Sequence, residues 1–147
     1  MTKFLPIVII ILIFAGGLLY LFSTEEIEED HFLEISGKDV SVQLADTPER
    51  RRVGLSEWEE ISFDEGMLFI FKNSDHHSFW MKDMSFSIDI IWIDEDFRVV
   101  YYLKEVSPET YPESFTSMDP ALYVLETKAG FVDRYSVQIG DEVKFDL

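Results

Sequence analysis

The chain has 147 residues, with 29 Asp or Glu against 12 Lys or Arg, a net charge of −17 and no cysteine. That charge repels nucleic acid and anionic headgroups, which excludes DNA or RNA as a partner. Without cysteine there is no disulfide, thiolate metal site, cysteine nucleophile or lipidated N-terminal cysteine, so the fold must rest on its apolar core.

Leu5 to Phe22 (LPIVIIILIFAGGLLYLF) carries no charge. As a helix rising ~1.5 Å per residue it would span ~27 Å, close to the hydrocarbon thickness of a bilayer. The run is apolar on every face, unlike an amphipathic core helix. A cleaved signal peptide would end in small residues, but Ala15-Gly16-Gly17 lie mid-run and Leu18 to Phe22 continue it. The pattern therefore favours an uncleaved anchor over a cleaved signal. Lys3 precedes the run and Glu25-Glu26-Ile27-Glu28-Glu29-Asp30 follows it, so the positive-inside rule places the N-terminus in the cytoplasm. The expected localisation is single-pass in the cell membrane, with the membrane as partner through residues 5–22 and the domain extracytoplasmic. Residues 1–22 are then the anchor or signal, 23–37 an acidic stalk or linker extended by self-repulsion, and 38–147 one domain. Beyond the run, eleven cations face 29 anions, a balance of −18. Such a surface maintains solubility and would also attract a basic partner.

Within the domain, Lys38 to Leu44 alternates apolar and polar residues, as in a half-buried strand. Thr47 suits a helix N-cap, Pro48 its first turn and Gly54 its end. Met67 to Phe71 is apolar on both faces, which predicts a central strand covered on both sides. Lys72 to Asp75 reads as a turn, and Ser78 to Lys82 and Ile88 to Ile93 as two strands around a short loop. After a turn at Asp94-Glu95-Asp96 comes a strand over 98–103. Residues 104–120 hold three of the five prolines and read as a long loop. Ala121 to Glu126 is predicted as a strand and Lys128 to Tyr135 as a short helix. Ile139-Gly140-Asp141 turns into a last strand, Glu142 to Phe145. The fold class expected is mainly β: a small β-sandwich or jelly-roll-like domain, or a partly closed barrel, with one or two short helices behind an N-terminal transmembrane helix.

Asp89 is the most suggestive residue, a carboxylate inside the otherwise apolar strand Ile88 to Ile93. It must be buried with a partner or exposed on a cleft floor, because an unpaired buried charge is very costly. Lys82 is the nearest candidate partner in sequence, and the pairing depends on hairpin register. Trp80 and Lys82, two apart on one strand, point the same way, so an aromatic and a cation beside a carboxylate would receive a sugar, peptide or carboxylate ligand. The bland alternative makes Trp80 core and Lys82 a solvated strand end. Glu126 reads as a strand-end acid, either solvated or starting the following helix. His76-His77 project oppositely on an extended chain, and Asp94-Glu95-Asp96 lacks the Gly and distal Glu of an EF-hand loop. No phosphate-binding Gly-rich loop or nucleophile elbow occurs. No metal and no cofactor is expected.

Asp46-Thr47-Pro48-Glu49-Arg50 with Gly54-Leu55, Gly66 to Phe71, Phe79-Trp80-Met81-Lys82, Ile88 to Asp94, Tyr123 to Glu126, Ala129-Gly130 and Gly140-Asp141 occur in one order. Together this set, spanning about residues 38–146, closely resembles the DUF192 family of bacterial and archaeal domains. The resemblance implies a compact β-sandwich, jelly-roll-like domain and brings no established activity. The chain departs from the family pattern at Ser56, Glu57 and Trp58, and again at Asp83, Met84 and Ser87, where Asn, Thr and Pro are usual.

The leading functional expectation is a membrane-anchored extracytoplasmic binding or accessory domain of the cell envelope. Its ligand site would be lined by Trp80, Lys82, Asp83 and Asp89 with Glu126, and would take a small ligand or an envelope protein. One rival is an envelope hydrolase using Asp89 and Glu126 as an acid/base pair, which requires the two carboxyls ~5–10 Å apart across a cleft. Another is a structural or assembly partner docking through its acidic surface.

Overall fold

The structure, a computed structural model, describes residues 31–146. The apolar run 5–22 and residues 23–30 of the acidic linker lie outside the described residues. Among the described residues no helix is long and apolar enough to cross a membrane.

The elements run β1 (His31–Ile35), β2 (Lys38–Ala45), α1 (Pro48–Val53), β3 (Glu65–Asp75), β4 (Ser78–Trp80), β5 (Ile88–Ile93), β6 (Val99–Val106), β7 (Ser114–Thr116), β8 (Ala121–Lys128), α2 (Phe131–Tyr135) and β9 (Val143–Asp146). Seven strands form one sheet in the order β6-β5-β8-β3-β2-β1-β9, while β4 and β7 form a separate ribbon. The β2–β3 pair is parallel and its crossover carries α1; the other pairings are antiparallel. The helix starts as its sequence dictates. The Thr47 hydroxyl accepts from the Arg50 amide and Pro48 opens the first turn.

The sheet curls until its rims meet. Arg98 bridges to Glu142, the Val99 amide donates to the Asp141 carbonyl at 2.9 Å, and the Val143 amide to the Phe97 carbonyl at 2.8 Å. The main sheet is thus one curled sheet joined at this corner, so of the two architectures expected from sequence it is nearer the partly closed barrel than two facing sheets. Period-2 alternation then sorts the side chains. Leu33, Val40, Leu68, Ile91, Leu125 and Val143 fill one core with Phe131 and Val132 of α2. On the opposite face of the central strands, Met67, Phe69, Ile90, Trp92 and Val124 form a second core, packed against Leu55, Phe79 and Met81. Covered on both sides, all six residues of β5 are buried.

Three local expectations are corrected. His31–Ile35, placed in the acidic linker, is a sheet strand whose Leu33 and Ile35 are buried, so the domain begins before residue 38. Lys72 to Asp75, read as a turn, continues β3 through a register shift between Ile70 and Asp75. The predicted loop 104–120 contains a 3-10 turn at Pro108–Thr110 and strand β7, which pairs with β4.

Candidate functional site: a cleft floored by a buried carboxyl

Asp89 is wholly buried and serves the fold. Its Oδ1 accepts from the Glu105 amide at 2.8 Å and the Gly130 amide at 3.1 Å, and its Oδ2 from the Val132 amide at 2.8 Å. One carboxylate thus ties β5 to β6 and to the start of α2. Three hydrogen bonds from backbone amides answer the burial cost that the sequence posed. Lys82, its expected partner, instead pairs with Asp83 at 3.1 Å, both side chains largely in solvent. Asp83 stands beside Lys82 at the surface and does not line the cleft over Glu126.

Register separates Asp89 from Glu126. Asp89 lies opposite Thr127, and Glu126 opposite Ile90, so the two carboxyls project from opposite faces of the sheet. The acid/base pair required by the hydrolase reading is therefore absent.

Glu126 has a different environment from the solvated strand end expected of it. The strand β8 continues to Lys128, which places Glu126 inside the sheet between Met67 of β3 and Ile90 of β5. It is 4% exposed, and its Oε2 has no hydrogen-bond partner among the described residues. Burial pushes its carboxyl up to about 8, so at neutral pH it is a neutral acid with an O–H to donate. Gly54 closes over it at φ 53 and ψ −139, a backbone region effectively reserved for glycine. A Cβ there would lie 3.4 Å from the Phe69 ring and 3.8 Å from Glu126 Oε2.

Glu126 lies at the floor of a cleft of about 250 Å³ between α1, β3 and the β4 ribbon. Phe69, Phe71, Phe79 and Trp80 supply its aromatic walls, and Arg51, Arg52 and Lys82 its cations. The walls are braced by one another. Phe69 meets Phe79 edge-on at 4.8 Å, Phe79 meets Trp92 at 5.8 Å, and Phe71 stacks on His77 at 3.5 Å. Arg51 is fixed by donating to the Asp46 and Ile70 carbonyls at 2.6 and 2.8 Å while lying over the Phe71 ring. Arg52 is exposed. Trp80, 53% exposed, stands at the rim against Tyr111. His76 and His77 serve separate ends, bonding the Ser117 and Asn73 carbonyls respectively.

Of the five residues singled out from sequence, the structure brings Trp80, Lys82 and Glu126 to one cleft and leaves Asp83 and Asp89 outside it. Arg51 and Arg52 escaped the sequence reading. Their signal was a run of three arginines, Arg50 to Arg52, in a strongly acidic chain.

Fold and site together define a small mainly-β domain with a lateral cleft, built from one curled sheet and two short helices. Residues 31–145 match the family model DUF192, described as "Uncharacterized ACR, COG1430", and the chain belongs to that family. It is similar to a UPF0127 protein of Thermococcus sibiricus, 30% identical over 111 residues that cover 72% of this chain. The match spans 66% of that relative, just under two thirds of its length. Among solved structures it resembles a "putative transcription regulator" of Sinorhizobium meliloti 1021, with TM-score 0.75, 29% identity, and coverage of 80% of this chain and 95% of that one. It also resembles a protein of unknown function from Novosphingobium aromaticivorans, with TM-score 0.73, 28% identity, and coverage of 77% and 83%.

Proposed function

We propose that this chain is a binding or accessory domain of the cell envelope, held at the membrane by residues 5–22 with its N-terminus in the cytoplasm, and that the Glu126 cleft receives its ligand. The observation that carries the binding reading is the Glu126 carboxyl, buried yet unpartnered at the floor of an aromatic-walled cleft. An orphaned buried polar atom costs the fold about 1–3 kcal/mol, a cost that a ligand completing its hydrogen bond relieves. The topology rests on the charge asymmetry around the apolar run. Two-carboxylate hydrolysis is disfavoured, since Glu126 is the one acid among the cleft-lining residues.

A thermal-shift screen of the full-length chain in mild detergent against small metabolites tests the binding reading. Hits should disappear in the Trp80→Ala and Glu126→Leu variants; hits indifferent to both place the site elsewhere. The cysteine-free chain also allows Ser85→Cys, on an exposed loop, to report topology. A membrane-impermeant maleimide should label it in intact cells, and labelling only after lysis would refute the envelope placement.

A further inference from the structure

Resting on the binding reading above, we infer that the cleft takes a small aromatic carboxylate, its carboxylate against the Glu126 carboxyl and its ring between the aromatic walls. Three features of the cleft converge on this class.

The floor presents a carboxyl that is 4% exposed, with Oε2 unpartnered. In its neutral form it needs an acceptor, and a carboxylate is the strongest acceptor available, giving a short charge-assisted O–H···O⁻ bond. The cations come next. Arg51 and Arg52 line this cleft in a chain of net charge −17, while Lys82 at its edge is already paired with Asp83, so the two arginines supply the local field that draws an anion. An ammonium ligand would meet those two arginines with no ionised acid at the floor to hold it.

Shape supplies the third feature. Phe69, Phe71, Phe79 and Trp80 favour a flat apolar body, packed by offset or edge contacts. A sugar would bring several hydroxyls to a floor with one polar group. At about 250 Å³ the space falls below the roughly 300–1,000 Å³ of drug-sized sites, which suits one ring on a short acid arm.

Charged groups around Glu126 are few on each packed element. Arg51 and Arg52 come from α1 and Lys82 from the chain after β4; the β5 residues on this face, Ile88, Ile90 and Trp92, are apolar. Farther along the sheet face, Glu65 is engaged with Ser62, and Lys128 with the Ile61 carbonyl. His77 lies behind Phe71. A fall in binding at alkaline pH is thus assigned to Glu126.

The test is calorimetric titration of the full-length chain in mild detergent with phenylacetate, phenylacetamide and 2-phenylethylamine, from pH 6 to 9. Phenylacetate should bind about tenfold or more tightly than the amide, and the amine should not compete. Above about pH 8 phenylacetate binding should weaken roughly tenfold per pH unit, as Glu126 loses its proton. Glu126→Gln, which still donates, should keep part of the binding at pH 7 and lose the alkaline fall. Glu126→Leu should lose binding about tenfold while the fold persists, because it removes an unpartnered polar atom. Amide or amine binding as tightly as the acid, or an unaffected Leu variant, overturns the ligand class. If those probes or library hits still depend on Trp80, the cleft remains a binding site for another chemistry. If phenylacetate does not bind and no library compound depends on Trp80 or Glu126, both readings fall together.

Discussion

Replacing Glu126 by Gln should reshape the pH dependence of stability, because this acid runs against the ordinary direction for a carboxylate. In the unfolded chain its carboxyl ionises near 4.5, whereas in the folded protein burial holds it neutral up to about 8. Between those values unfolding releases a proton, so rising pH favours the unfolded state. The stability tied to the neutral acid is complete below pH 4.5 and is lost as pH climbs to about 8. Each pH unit in that window removes about 1.4 kcal/mol, and the whole window about 5 kcal/mol. That is comparable to the entire stability of a small domain, typically about 5–15 kcal/mol. Urea unfolding of the full-length chain in mild detergent, followed by tryptophan fluorescence, to which the buried Trp92 contributes, at pH 5 to 9, measures it. The Glu126→Gln curve should lie progressively above wild type as pH rises, with the gap levelling off past about pH 8. Parallel curves would refute the argument, because they would mean the folded carboxyl ionises like a solvated one.

Four further outcomes follow from packing. Asp89→Ala strands the amides of Glu105, Gly130 and Val132, and should cost more than about 3 kcal/mol in urea unfolding. Lys82→Ala, which breaks an exposed pair, should stay within about 0.5 kcal/mol, and equal losses would mean that Lys82 does support Asp89. Gly66→Ala places a Cβ 2.9 Å from the Glu126 carbonyl oxygen, so β3 and β8 must part. It should cost about 2 kcal/mol or more and reduce amide-exchange protection in both strands; an unchanged melting temperature would contradict the close approach. Trp80→Ala should leave stability within about 0.5 kcal/mol, since the ring is half in solvent, while altering ligand binding.

Local chemistry was legible where it carried its own signal. Ile88 to Ile93 announced a strand covered on both faces, and Thr47, Pro48 and Gly54 marked the bounds of α1. Asp89 stood out as anomalous, but its partners lie 16 to 43 residues away on the backbone, where side-chain identity carries no trace of them. Glu126 looks like a strand end because Thr127 and Lys128 follow it. Pairing with β3 and β5 extends β8 through them and draws the acid inside. His31–Ile35 was hidden by its acidic approach, and β7 by its three-residue length among prolines. The cleft depends on three elements meeting, and its arginines become meaningful only once α1 sits beside Phe71.

The meeting of β1 with β9 has a consequence for biogenesis. Glu34 and Lys144, joined across that seam, are 110 residues apart in the chain. Until β9 is available, β1 has one unsatisfied edge and the core around Leu33 and Ile35 lacks the side chain of Val143. The domain therefore cannot close while β9 is still being synthesised, and its folding is slowed by the length of the loop to be closed. In the proposed envelope placement the domain must cross a membrane, and that delay would leave the chain threadable while it does so. A ribosome-stalled fragment lacking β9 should accordingly remain protease-sensitive, becoming resistant once residues 143–146 have cleared the exit tunnel.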